Sequence, residues 1–249
     1  MPKILLLNIG NTNTVLAELR AGLPHDLVRF STSEWFGAPD RLSILNELPD
    51  ARCLAACVVP EVATELMKRH GPERIRFLEA GMVPEIDFSV VDVRTIGADR
   101  LANARAALLT HRPPLVVLDC GTAITTEVLD AEGRFRGGAI MLGRRLMRKA
   151  LHENTGLLPE VAMQQGAPEA VGTDTPSAIC GGVDVGAIGA VQRILEQTGQ
   201  ELGVPGCSVI ATGGDAAFFM DAITGLTPAP ADFTLRGLAA VAERLFEDC

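Results

Sequence analysis

Gly97-Ala98-Asp99-Arg100 puts a carboxylate beside a guanidinium where a helical pattern begins. Such a pair can hold a polar substrate, with Asp99 accepting a hydroxyl proton. The competing reading makes Asp99 a cap or dipole partner of that helix. An ordinary Asp, with a pKa of ~3.9, is a weak base. Phosphoryl transfer through a loose transition state asks little of its base. Two further segments could meet an anion. Asn8-Ile9-Gly10-Asn11-Thr12-Asn13-Thr14-Val15 and Asp119-Cys120-Gly121-Thr122-Ala123-Ile124-Thr125-Thr126 each follow an aliphatic run and offer backbone N–H groups and hydroxyls. Either alone reads equally as a hairpin whose Asn and Gly are chosen for positive φ. Two together, facing each other across a cleft, point to a polyphosphate held from both sides. A third Gly-bounded turn, 137–143, leads into Arg144, Arg145, Arg148 and Lys149. That cluster reads either as a solvated helix face or as a patch facing an anion or another subunit. Thr212-Gly213-Gly214-Asp215 follows a strand-like run, and its glycine pair would let a flat ring approach the backbone.

These groups need a scaffold, and the chain announces one by repeating itself. Residues 5–15 and 116–126 share the same order at an offset of 111: aliphatic run, Asn or Asp, Gly, then amides and hydroxyls. Each copy predicts a strand, a tight turn and an antiparallel return strand, and their placement implies a duplicated domain. In the first half, 52–59 reads as a strand, and 61–70 and 101–109 as helices. Arg112-Pro113-Pro114 ends the last of these and supplies the link between domains 1–112 and 113–249. In the second half, 145–152 and 177–197 read as helices, 208–211 as a strand and 235–246 as a closing helix. Segment 159–175 lacks periodicity and reads as a loop. Gly181, Gly182, Gly186, Gly189 and Gly199 are costly in a helix, which predicts close backbone packing there.

The 249 residues carry 22 Lys and Arg against 31 Asp and Glu, a net charge of −9. That balance argues against nucleic acid as the main partner, whose backbone is bound by basic side chains. Nine Phe, one Trp and no Tyr leave few stacking platforms. The apolar content of 47% is globular. The longest aliphatic run near the start, 4–7, is too short for a signal sequence. No stretch reads as the ~18 apolar residues of a membrane span. The expectation is a cytoplasmic protein with a small-molecule partner and no membrane. Six cysteines without a CxxC, and four histidines without zinc spacing, read as reduced thiols and carry no assigned chemistry.

Residues 96–104 and 118–126 in this order, with Gly137-Gly138-Ala139-Ile140, 151–159, 172–179 and 211–216 in support, resemble type III pantothenate kinases. The similarity runs through nearly the whole chain. It implies an α/β fold of two duplicated ribonuclease-H-like domains, of the actin-like ATPase kind, with a nucleotide cleft between them. It also implies a homodimer whose interface helps form the pantothenate pocket. On this resemblance Asp99 is the general base, and Gly97, Ala98, Asp99 and Arg100 bind pantothenate, with Thr175 closing the pocket from the loop. Asn8 through Val15 form the first phosphate loop, Thr122 contacts ATP, and Asp119 sits at a site for K⁺ or ammonium. Mg²⁺ would accompany ATP. The implied reaction is ATP-dependent phosphorylation of pantothenate to 4′-phosphopantothenate, which opens coenzyme A synthesis. The chain departs from the pattern at Asn8, where the family has Asp, at Leu142, where it usually has Pro, and at Gly156, where it has Ala. An amide at position 8 offers no charge to a divalent metal. The alternative expectation is therefore a weak or inactive relative acting as an accessory protein.

Overall fold

A computed structural model describes residues 3–37, 48 and 50–246. The chain forms two compact units, Met1–His111 with Asp232–Cys249, and Arg112–Ala231.

The first unit opens with β1 (Ile4–Ile9), β2 (Asn13–Arg20) and β3 (Leu23–Ser31), followed by the short helix α1 (Glu34–Gly37). Then come β4 (Arg52–Cys57), α2 (Pro60–His70), β5 (Ile75–Phe77) and α3 (Ala98–Thr110). The sheet order is β3-β2-β1-β4-β5. β1 pairs antiparallel with β2 and parallel with β4. Its run of aliphatic residues reflects a central strand covered on both faces. Leu5, Leu7 and Ile9 pack with Phe30, Trp35, Val62 and Leu66, while Leu6 points to the other face and is equally buried.

The second unit contains β6 (Leu115–Cys120), β7 (Ala123–Leu129), β8 (Phe135–Gly137), β9 (Ile140–Leu142), α4 (Arg144–Glu153) and α5 (Thr175–Cys180). A π-helical turn, Gly181–Val185, runs on into α6 (Gly186–Glu201), followed by β10 (Ser208–Thr212), α7 (Ala216–Ala222) and β11 (Leu226–Pro228). The sheet order β11-β10-β6-β7-β8 repeats that of the first unit, with β9 added against β7. β6 again has an antiparallel neighbour, β7, and a parallel one, β10. The duplication expected from the sequence is thus a duplication of topology. The stretch Thr175–Glu201 is long and apolar enough to cross a membrane by length and composition. Here it is interrupted by the π turn and sends Ala187 and Val191 into the core of its unit. Of its glycines, a Cβ at Gly181 would meet the carbonyls of Glu169 and Ala170 and one at Gly199 would meet Val204 O, whereas a Cβ at Gly182, Gly186 or Gly189 would project into open space. The close packing expected at those three is not met within the chain.

The closing helix α8 (Phe233–Phe246) packs on α3, β1 and β4, so it covers the first sheet although it follows the second half in sequence. Thr234 Oγ1 donates to the buried Asn103 Oδ1 over 2.7 Å, and Arg244 pairs with Glu85 at 2.7 Å.

The constant offset of 111 holds only as far as the turn. Ile9 pairs with Thr14, but Cys120 pairs with Ile124, so the second hairpin is one residue shorter. Beyond the turn the structural offset is 110. Side chains alternate between faces, so this shift decides which of them are buried. Thr14 and Ile124 are both buried, as are Leu16 and Thr126, and Ala17 and Glu127.

Candidate active site

The turn after β1 is closed by the Gly10 N–H, which donates to Asn13 O over 3.0 Å. Asn11, Thr12 and Asn13 are exposed at its tip. A buried set of hydroxyls braces it from behind. Trp35 Nε1 donates to Thr14 Oγ1 over 2.8 Å, Thr14 and Thr32 share a hydroxyl contact at 3.1 Å, and Thr32 Oγ1 donates to Gly10 O over 2.7 Å. Sequence reasoning missed Thr32 and Trp35. No spacing rule links them to residue 10, because β3 has to fold back first. Asn8, at the end of β1, has a buried Oδ1 with no hydrogen-bond partner. A buried acceptor left open costs about 1–3 kcal/mol, so this atom is available to a bound cation or donor.

The matching turn after β6 is tighter. Gly121 N–H donates to Ala123 O over 3.0 Å, and Gly143 N–H donates to Thr122 O over 2.9 Å. Neither Gly10 nor Gly121 has positive φ, which removes the reading of these glycines as left-handed turn residues. At Gly121 a Cβ would meet nothing closer than Ala123 O at 3.5 Å, so the fold would accept Ala. An exposed glycine that the backbone does not need is one that lets something approach the chain closely. Gly213 differs. Its φ is +94°, and a Cβ would stand 2.5 Å from Cys120 O and 2.6 Å from Asp119 Oδ1. The Thr212–Asp215 turn is therefore pressed against the end of β6. Asp215 N–H completes the contact by donating to Cys120 O over 2.9 Å. Asp119 and Asp215 lie close enough to Cys120 to help push its thiol well above its usual range, although burial is the larger cause.

Asp99 lies in the first turn of α3, behind the N-cap Gly97, which makes no side-chain cap. Its Oδ1 accepts the Arg100 N–H over 2.8 Å. The carboxylate therefore does serve the helix start, but it is only half-buried and remains available to a ligand. Burial pushes its pKa above the ordinary carboxylate value, against the pull of the Arg100 amide and guanidinium. That direction suits a group that must take up a proton.

The basic cluster splits in two. Arg145 and Lys149 are exposed, as a solvated face requires, but Arg144 and Arg148 are buried. Arg144 Nε donates to Asp184 Oδ1 and its Nη1 to Asp215 Oδ1, both at 2.8 Å, and its Nη2 to Gln164 O at 3.0 Å. Its guanidinium lies over the Phe218 ring, 3.2 Å from the centroid. Arg148 Nη2 reaches both Asp184 oxygens at 2.8 Å. Position in sequence cannot separate Arg144 from Arg145, because the partner Asp184 is 40 residues away.

A groove of ≈1050 Å³ runs along the second unit, lined by Leu142, Met147, Leu151, Thr175, Ile179 and Val183 among others. Thr175 is exposed at its edge. It opens α5 rather than ending a loop, because Asp174 and Ser177 form a reciprocal capping box that spans Thr175 and Pro176. The segment Gly137–Gly143, expected as a turn, holds β9. Among the described residues no three His, Cys, Asp or Glu side chains gather to hold a metal ion.

A family model for type III pantothenate kinase matches residues 4–197. A type III pantothenate kinase from Rhodospirillum rubrum is 34% identical over 97% of this chain and 98% of its own. One from Hyphomonas neptunium is 32% identical over 97% and 99%. Among solved structures, MreB5 of Spiroplasma citri bound to ADP superposes with a TM-score of 0.58 at 12% identity, covering 100% of this chain and 98% of its own, which shows the actin-like fold alone. Topology and sequence agree, and the chain belongs to the type III pantothenate kinase family.

Proposed function

We propose that the chain transfers the γ-phosphoryl group of ATP to the primary hydroxyl of pantothenate. The full-length likeness to named type III pantothenate kinases carries this reading. Asp99 accepts the hydroxyl proton as the new O–P bond forms, and the bond to the β-phosphate oxygen breaks to release ADP. Gly97, Ala98 and Arg100 hold pantothenate beside it, the Arg100 guanidinium suiting its carboxylate. Residues 8–15 and Thr122 bind the ATP phosphates. The exposed tip at Asn11, Thr12 and Asn13, and exposed Gly121 and Thr122, support that role. Mg²⁺ on the phosphates supplies charge neutralisation, and Asn8 Oδ1 and Asp119 are the groups this chain offers to Mg²⁺ and to K⁺ or ammonium respectively.

The chain acts as a homodimer in this reading, and Thr175 closes the pantothenate pocket. Support comes from the open face of Gly182, Gly186 and Gly189, from exposed Leu142 in the groove lining, and from Ile140 and Leu157, exposed within a few residues of lining positions in the sequence. Apolar groups gathered in this way mark an interaction surface. In this reading the protein works in the cytoplasm, where ATP is supplied, and its net charge of −9 argues against nucleic acid as a main partner.

An ADP-release assay with ATP, Mg²⁺ and K⁺, run with and without pantothenate, tests the activity. Mass spectrometry of the product should find 4′-phosphopantothenate. ADP release that does not depend on pantothenate would overturn the substrate assignment.

A further inference from the structure

The cluster of Arg144, Arg148, Asp184 and Asp215 has no part in the roles assigned so far, yet it touches both turns of the second unit. Gly143 N–H holds Thr122 O, and the next residue, Arg144, holds Asp215 through its side chain. Asp215 N–H in turn holds Cys120 O. These contacts close a ring joining the end of β6, its following turn, the start of α4 and the Gly213-Gly214 turn. The ring is anchored inside the protein. Arg144 is 1% exposed, and Asp184, on the π-helical turn, is 0% exposed and gripped by both arginines. Asp215 alone reaches the surface, its side chain 23% exposed. π turns occur often where function needs an unusual backbone.

Burying two guanidinium groups and a carboxylate is a poor route to stability, since well-packed apolar residues of similar volume serve as well or better. What such a cluster does supply is fixed direction. Arg144 presents a rigid fork that binds Asp184 with one nitrogen and Asp215 with another. The pairing of Thr212 with Asp119 brings the Gly213-Gly214 turn beside the end of β6, and the fork adds a side-chain tie from Asp215 to the start of α4, whose Gly143 holds the Thr122 turn.

We propose that Asp215 is a positioning residue for nucleotide binding, held by the Arg144–Asp184 pair so that the Thr122 turn and the Gly213-Gly214 turn keep the separation a nucleotide needs. The proposal rests on the assignment of Thr122 to ATP. Asp215 acts through the two turns it ties together, by its side chain to Arg144 and its N–H to Cys120 O.

The test uses Asp215→Ala, Asp215→Asn and Arg144→Lys in the full chain, with MgADP titrated by calorimetry and KM and kcat measured separately. Loss of the charge-assisted contact should weaken MgADP and raise KM for ATP by about tenfold in Asp215→Ala. KM for pantothenate and kcat should change by less than about twofold, because the residues assigned to the hydroxyl and the carboxylate of pantothenate, Asp99 and Arg100, are carried by α3. Asp215→Asn keeps an acceptor oxygen and should recover most of the affinity. Arg144→Lys gathers its donors on a single nitrogen, cannot span the separate Nε and Nη1 positions that reach Asp184 and Asp215, and should repeat the Ala result. If wild type binds MgADP and Asp215→Ala binds it equally, the proposal is wrong. It is also wrong if affinity for both substrates falls together, since that marks general loss of structure. If wild type binds no MgADP, the nucleotide reading beneath it fails first and takes the proposal with it.

Discussion

Trp35 donates its indole N–H to Thr14 Oγ1 over 2.8 Å, which ties the chain's single tryptophan to the first turn through buried hydroxyls. With no Tyr in the sequence, emission excited at 280 nm comes almost wholly from this ring. Binding of MgATP at residues 8–15 should therefore shift or quench it, and Trp35→Phe should abolish the signal. Trp35→Phe should also lower stability by about 1 kcal/mol from the lost bond and weaken ATP more than pantothenate. A titration that leaves Trp35 emission flat would argue against a phosphate site at that turn.

Asp99→Asn should reduce kcat by roughly 10²-fold while MgADP affinity stays within about twofold, since a positioned base is worth about that much. The amide retains an oxygen for the Arg100 N–H, so melting should hardly move. The pH profile adds a second check. Burial raises the Asp99 pKa, and the ionised form is the active one, so kcat/KM should fall on the acid side at a pH above the ordinary carboxylate value. In the variant that limb should disappear. An acid limb that survives in Asp99→Asn would assign the base elsewhere.

Asn8→Asp should place a charge where an amide oxygen now lies buried without a partner. Without ligand the variant should be less stable by about 1–3 kcal/mol, from a desolvated and unpaired carboxylate. With Mg²⁺ and ATP it should recover that loss and raise kcat/KM several-fold, because the carboxylate binds the metal better than an amide. Calorimetric melting with and without MgATP separates the two effects. Equal destabilisation in both conditions would mean that no metal approaches position 8.

Leu157, 95% exposed, and Leu142, at the groove, are the residues to charge if two copies meet there. Leu142→Glu or Leu157→Glu should convert a dimer to a monomer in size-exclusion chromatography with light scattering, and KM for pantothenate should rise. A wild type that elutes as a monomer at all concentrations would remove the homodimer from the reading.

The parts legible in the sequence are those with local causes. The strand–turn–strand repeats, the helix carrying Asp99 and the closing helix all follow from residues within one or two turns of each other. Elements defined by a distant partner were hidden. β3, β5, β8, β9 and β11 are short or carry polar faces, and they exist because a neighbouring strand offers hydrogen bonds. The buried guanidinium of Arg144 was hidden for the same reason. Its helix reads as basic, and only the fold brings Asp184 to it. Asp174-Thr175-Pro176-Ser177, by contrast, was readable as a capped helix start, and an aperiodic stretch before it masked the signal.

The one-residue difference between the two hairpins limits how their parts can be exchanged. Asn13 and Ala123 open corresponding return strands, yet they stand 5 and 4 positions after Asn8 and Asp119. A chimera carrying the second turn in the first unit must therefore replace four residues, 10–13, with three, 121–123. Swapped like for like in length, the graft would rethread β2 by one position, forcing Leu16 into the buried place of Ala17 opposite Leu6 and Val15 into the place of Leu16 opposite Leu7. The two loops have thus been free to change in size only because each change was absorbed before the strand began, and a designer inherits the same rule.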